Sequence, residues 1–99
     1  MIVVLTHEAE HDLEAIGDYI ARDNPLRAAS FVDELRDDCL GLADFPERFP
    51  LVPSYEAFGL RRRVHGNYLI FYAVEADRVV IVHILNGAQD YEAILFPRS

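Results

Sequence analysis

The sequence predicts an α+β fold in the order β-α-α-β-β-β, a two-helix hairpin packed on one face of a small antiparallel sheet. Three observations predict it. Apolar residues recur at steps of three and four along residues 9–20 and again along 28–42, which is the spacing of one helical stripe. Asn24-Pro25 is the only break between the two stripes, and a break that short makes the helices antiparallel neighbours. After a proline-rich stretch, three strand-like runs follow with turn signals between them. At 99 residues there is room for one core, so residues 1–99 are read as a single domain.

Each element has a local cause. Ile2-Val3-Val4-Leu5 is a short β-branched run that stops at Thr6, a good N-cap, and Glu8, Glu10 and Asp12 crowd the next turns, where the helix dipole favours acids. Ala9, Leu13, Ile16 and Ile20 form the stripe of the first helix, which reaches about Arg22. Asn24 caps the second helix, and Pro25 at its first position gives up no needed hydrogen bond. Its stripe is Ala28, Val32, Leu35, Cys39 and Leu42, with Phe31 beside it. Pro46, Pro50 and Pro53 then forbid regular structure as far as about Glu56. Strands are expected over Phe58–Val64, Tyr68–Val74 and Arg78–Leu85, the first two joined by a tight turn at Gly66-Asn67 and the next pair by Glu75-Ala76-Asp77.

Two of those strands are apolar on both faces. Tyr68, Ile70, Tyr72 and Val74 point one way and Leu69, Phe71 and Ala73 the other; Val79, Ile81, His83 and Leu85 likewise oppose Val80, Val82 and Ile84. A half-covered antiparallel sheet alternates apolar and polar, so something covers the face away from the helices. Two covers are available: the proline loop with Tyr91, Ile94, Leu95 and Phe96 folded back, or a partner polypeptide.

Composition excludes several function classes. With 52% hydrophobic and 26% charged residues the chain is neither disordered nor fibrous. A chain of this size buries only about 60 to 65% of its unfolded surface, so it gains from a partner. There are 17 acids against nine basic residues, all Arg; residues 1–50 carry 12 acids and four arginines, whereas 51–99 carry five of each. A net charge of −8 argues against a non-specific grip on nucleic acid, though not against a local basic patch. The single Cys39 has no partner for an internal disulfide. Met1–Leu5 lacks the basic flank of a signal peptide, and no apolar run exceeds seven residues, so a cytoplasmic protein without membrane contact is expected.

Few residues could carry chemistry. His7-Glu8-Ala9-Glu10-His11 satisfies the zinc-protease pattern H-E-x-x-H, but it lies in the first turn of an acidic helix whose apolar stripe runs through Ala9 and Leu13, so a solvated helix start without metal is expected. Thr6, Ser30, Ser54 and Ser99 lie in a cap, a helix, a loop and the terminus, and none sits in a nucleophile elbow. Cys39 falls on a core stripe, and no glycine-rich phosphate loop is present. The chemistry concentrates in Gly59-Leu60-Arg61-Arg62-Arg63. Period two puts Arg61 and Arg63 on one face and Arg62 on the face of Phe58, Leu60 and Val64. Adjacent guanidiniums need anions, either the chain's own carboxylates or an external phosphate or acidic partner.

Taken together, Leu5-Thr6, Ala9-Glu10-His11-Asp12-Leu13-Glu14-Ala15-Ile16 with Tyr19-Ile20-Ala21, Asn24-Pro25, Gly59-Leu60-Arg61-Arg62, Asn67-Tyr68-Leu69-Ile70-Phe71-Tyr72 and Ile84-Leu85-Asn86-Gly87-Ala88-Gln89-Asp90 resemble the ParE/RelE toxin superfamily, in its ParE-like plasmid-stabilisation branch. The resemblance covers essentially the whole chain. It implies a toxin of a type II toxin–antitoxin module, neutralised by a cognate ParD-like antitoxin and using no cofactor or metal. ParE-like members poison DNA gyrase by protein–protein contact and need no chemistry of their own; RelE-like members are ribosome-dependent mRNA endoribonucleases.

The absence of Lys and the net charge of −8 select the gyrase reading. The alternatives are a ribonuclease using Arg61, Arg63 and His83, with His65 as a second histidine, or a degenerate toxin that only binds antitoxin. Where the family usually ends its last strand on His-Gly-Ala-Arg-Asp, this chain has Asn86 and Gln89 in place of the His and the Arg, which further weakens phosphate chemistry. Contact with the target is expected at Arg61, Arg62, Arg63, Gln89, Asp90 and Tyr91, and with the antitoxin at Leu69, Phe71, Ile94, Leu95 and Phe96.

Overall fold

The computed structural model describes residues 1–97. Its elements are β1 (Ile2–Leu5), α1 (His7–Ala21), α2 (Pro25–Leu40), β2 (Leu60–His65), β3 (Tyr68–Glu75), β4 (Arg78–Asn86) and a short α3 (Tyr91–Leu95). Single 3₁₀ turns at Gly41–Ala43 and Glu56–Phe58 bracket the proline segment. The α+β class and the element order match the expectation, with α3 added.

The sheet itself differs in one respect. Its order is β1-β4-β3-β2; the β2-β3-β4 meander is antiparallel, but β1 pairs with β4 in parallel, Ile2 opposite Arg78 and Leu5 opposite Ile81. The sheet is therefore mixed. No turn joins β1 to the meander, so its direction is set by how the helical hairpin returns the chain. Thr6 fixes that return: its hydroxyl accepts from the Ala9 amide at 3.1 Å and shares its proton between the carbonyls of Ile81 (2.8 Å) and Val82 (3.1 Å).

Both helices begin where expected. Asn24 Oδ1 accepts from the Arg27 amide at 3.0 Å, with Pro25 in the first turn of α2. Ala9, Leu13 and Ile16 of α1 and Ala28, Leu35 and Cys39 of α2 are buried. At the crossing, a Cβ on Gly17 would lie 3.2 Å from Val32 Cγ2, so the missing side chain lets the helices approach. Leu42 is buried as the stripe requires, but from the 3₁₀ turn beyond the helix.

Two apolar clusters flank the sheet. The helix side gathers Leu13, Leu35, Cys39, Ile70, Tyr72, Val79, Ile81 and Ile84. The other side gathers Val52, Leu60, Phe71 and Leu85 under Tyr55, Tyr91, Leu95 and Phe96. Of the two expected covers, the chain thus supplies its own, the proline loop and α3. Uncovered apolar side chains remain on β1, where Ile2 and Val4 alternate with the helix-facing Val3 and Leu5.

Local irregularities account for the remaining differences. A bulge in β4 opposes Phe71 to His83 but Tyr72 to Ile81, leaving Val82 extra. Simple alternation is broken there, so Ile84 joins Val79 and Ile81 on the helix side while Leu85 crosses to the other face. Phe58 lies in a 3₁₀ turn rather than in β2, because Gly59 turns the chain with φ +69° before the strand starts at Leu60. Prolines did not prevent pairing along the β2 edge: Val52 N–H bonds Leu60 O at 2.8 Å, and Arg62 N–H bonds Pro50 O at 3.1 Å. The segment Pro50–Val52 therefore shields that edge.

Candidate functional site

β2 carries the three arginines, and alternation divides them as predicted. Arg61 and Arg63 face the helix side. Arg61 Nη1 donates to the carbonyls of Phe49 at 2.7 Å and Glu47 at 3.1 Å, pinning the proline loop. Arg63 donates to the carbonyl of Asp38 at 3.1 Å, pairs with its carboxylate at 3.3 Å and lies over the Phe49 ring at 4.8 Å. On the opposite face Arg62 donates to the Tyr91 hydroxyl at 3.2 Å, tying β2 to α3. Of the two anion sources, the chain's own groups hold all three guanidiniums, and only one of those partners is a carboxylate. Backbone carbonyls accept most of the guanidinium hydrogen bonds, those of Glu47 and Phe49 in the proline loop among them.

The histidines are similarly engaged. His65 Nδ1 sits 2.7 Å from Asp38 Oδ2 and its Nε2 3.3 Å from Glu34 Oε1, with Phe31 edge-on to the ring at 5.3 Å. Glu34 also pairs with Arg27, whose hydrogen bond holds the Glu34 carboxyl below its usual range. His83 Nδ1 meets Asp12 Oδ2 at 2.8 Å, and the same oxygen accepts the Ile84 amide at 2.9 Å. Asp12 thus reaches across from α1 and fastens the strand just past the bulge, a pairing with no local sequence signal.

The three residues of the ribonuclease alternative are not brought together. Arg61 and Arg63 lie on the edge strand β2, His83 on β4 with β3 between, and each is bound to a different part of the chain. Among the target-contact candidates, Gln89 and Asp90 are exposed in the β4–α3 turn, where Gln89 accepts the Asn86 amide and Asp90 caps α3. The antitoxin candidates lie around α3: Ile94 is exposed, and Leu69, Leu95 and Phe96 are half-buried. Phe71 is fully buried beneath Tyr91 and offers no surface, because the chain covers its own second face.

The histidines and the glutamate of the H-E-x-x-H pattern, His7, His11 and Glu8, are exposed, and among the described residues no group of three or more His, Cys, Asp or Glu could hold a metal. Burial pushes the Cys39 thiol up to about 12, which leaves it protonated and unreactive.

Sequence reasoning missed the loop that these arginines hold. Tyr72, fully buried in the helix-side core, donates from its hydroxyl to Pro46 O at 2.7 Å. With Arg61 and the Phe49 ring, which has the Arg48 and Arg63 guanidiniums 5.4 and 4.8 Å from its centroid, it fixes residues 46–49 against the sheet. The aromatic-rich alternation of β3 hinted at a core role for Tyr72, not at its hydroxyl's partner.

Comparison with known proteins agrees with this architecture. No curated protein sequence matches the chain. A solved structure titled "Chromosomal ParDE TA system from P. aeruginosa" superposes with a TM-score of 0.76 at 22% identity, covering 87% of this chain and 95% of that one. Among the described residues no helix is long and apolar enough to cross a membrane. The family model for the ParE toxin of the type II toxin–antitoxin system parDE matches residues 3–91, the span from β1 through the arginine strand to the start of α3, and the chain belongs to that family.

Proposed function

We propose that this toxin acts in the cytoplasm by stopping DNA gyrase through protein–protein contact and is held inactive by a ParD-like antitoxin. The engagement of Arg61, Arg62 and Arg63 by the chain's own atoms carries this reading. Cutting RNA requires cations free to meet phosphate and a group placed to move a proton near them. Here the guanidiniums brace a loop and two helices, and His83 is held by Asp12 on another strand. A net charge of −8 opposes a polyanion further and suits a protein target with basic surface. The antitoxin follows from the family, and the two-component title of the matched structure supports a ParD-like partner.

The test is direct. Purified toxin added to gyrase with relaxed plasmid is expected to block supercoiling or to accumulate cleaved DNA, and prior addition of antitoxin is expected to prevent both. Gyrase unaffected by a large molar excess of toxin refutes the proposal. Codon-dependent mRNA cuts on ribosomes, lost when Arg61 and Arg63 are both changed to Ala, would establish the ribonuclease instead.

A further inference from the structure

The H-E-x-x-H stretch at the start of α1 has no part in the arginine strand, and its two histidines differ from the other two in the chain. His65 and His83 each hold a carboxylate through Nδ1. His7 and His11 are exposed and make no hydrogen bond, ion pair or ring contact with the described residues, so both rings are free to take a ligand. They stand one helical turn apart and line the same hollow between α1 and α2. Cβ atoms at that spacing are about 5 to 6 Å apart, which lets two imidazoles close on one ion at about 2.0 to 2.1 Å.

The turn that carries them is already ordered. Helix ends ordinarily fray, and a ligand pair there would have to fix the backbone as it bound. Here Thr6 caps the turn through the Ala9 amide and bonds the carbonyls of Ile81 and Val82, while Asp12, next to His11, holds His83 Nδ1 at 2.8 Å and the Ile84 amide at 2.9 Å. β4 thus pins the backbone on both sides of residues 7–11. The charge suits a cation as well. Glu14 and Asp18 line the same hollow, a like-charged pair one turn apart with no ion-pair partner among the described residues. The Arg36 guanidinium in its wall is neutralised by two bonds from Glu10, at 2.8 and 3.1 Å. Against the two free carboxylates, the helix dipole sets only about half a positive charge at the first turn.

We infer that His7 and His11 form a two-imidazole site for one borderline divalent transition cation, Zn²⁺, Ni²⁺ or Cu²⁺. Among the described residues no third side chain is placed to complete a protein cage, so water fills the other coordination positions on the open side of the hollow. The donors set the class of ion: imidazole suits these metals, whereas Mg²⁺ and Ca²⁺ require oxygen ligands. Cu²⁺ binds more tightly than Ni²⁺ or Zn²⁺. The bound ion staples the first two turns of α1, in place of the metal-free helix start that the sequence alone suggests.

The test uses the whole toxin, free of any histidine tag, titrated with Zn²⁺, Ni²⁺, Cu²⁺ or Mg²⁺ alone in a calorimeter. One Zn²⁺ or Ni²⁺ is expected to bind per chain and to raise Tm, Cu²⁺ to bind more tightly, and Mg²⁺ to do neither. His7→Gln and His11→Gln are each expected to weaken Zn²⁺ at least about tenfold, since one remaining imidazole loses the advantage of chelation. Without added cation both variants are expected to melt with wild type, because neither ring contacts the fold. Paramagnetic Ni²⁺ is expected to broaden amide signals around residues 7–11 first. Zn²⁺ binding that is absent, or as tight in both single variants as in wild type, overturns the inference. Broadening centred on His65 or His83 overturns it too, by moving the ion to another histidine. None of these readouts depends on gyrase, so the proposed target stands or falls separately.

Discussion

Cys39 shows how burial fixes the chemistry of a single side chain. Below about pH 8 its thiol is neutral in both folded and unfolded chains, and its burial carries no proton linkage. Above that value the unfolded thiol ionises while the native one, raised to about 12 by burial, does not. The unfolded state then binds fewer protons, so stability falls as pH rises, by up to about 1.4 kcal/mol per unit between those limits. The urea midpoint of wild type is expected to drop more steeply than that of Cys39→Ala from about pH 8.5 to 10.5. Parallel curves would show that the thiol is not shielded. Glu10 has the opposite sign, since its hydrogen bond to Arg36 lowers its carboxyl and the benefit is lost as pH falls through the native value. Both partners are largely exposed, so Glu10→Gln is expected to cost no more than about 0.5 kcal/mol in denaturant unfolding at neutral pH.

At the scale of elements, the first two turns of α1 are joined to β4 by two short side chains. Thr6 caps the helix and bonds two strand carbonyls, and Asp12 in the second turn holds His83 and the Ile84 amide. Thr6→Ala is expected to lower stability by about 1 to 2 kcal/mol, and Asp12→Ala by about 2 to 3 kcal/mol because it strands a partly buried amide and imidazole. Chemical denaturation measures both. The proline loop depends on β2 in the same way. Arg61→Ala frees the carbonyls of Glu47 and Phe49, and faster amide exchange confined to about residues 45–52 is the expected result. Unchanged exchange there would mean that the Tyr72 hydroxyl and the backbone bonds to β2 hold the loop without Arg61.

For the whole molecule, the decisive arrangement is the chain's cover of its own second sheet face. Tyr91 packs on Phe71 with ring centroids 5.1 Å apart, and Phe96 stacks on Tyr55 at 4.1 Å with the planes 5° apart. Ending the chain after Asp90 would open Val52, Leu60, Phe71 and Leu85 to water. A loss of about 3 to 5 kcal/mol is expected, together with binding of a hydrophobic dye. A truncated chain as stable as the full one, without dye binding, would show that α3 contributes no cover. The overall charge acts at this same scale: association with the target is expected to slow as salt rises if basic target surface steers the −8 toxin.

Whatever depends on neighbours along the chain was legible in the order of residues. Helical stripes, the caps at Thr6 and Asn24, the Gly66-Asn67 turn and the division of the arginines between two faces all follow from periods of 3.6 and two and from residue-specific backbone preferences. The ordered series of short motifs from Leu5-Thr6 to Gln89-Asp90 was equally legible, because a family resemblance is itself a one-dimensional pattern. Tertiary structure alone decided what joins distant residues. β1 runs parallel to β4 because the hairpin returns the chain that way, and the bulge at Val82 shifts Ile84 and Leu85 because β4 must meet both β3 and Asp12. Whether Arg61 meets phosphate or the chain itself depended on carbonyls 12 and 14 residues away, and the seating of the proline loop on a buried tyrosine 26 residues from Pro46. Such pairings obey hydrogen-bond satisfaction in three dimensions, which no spacing along the chain encodes.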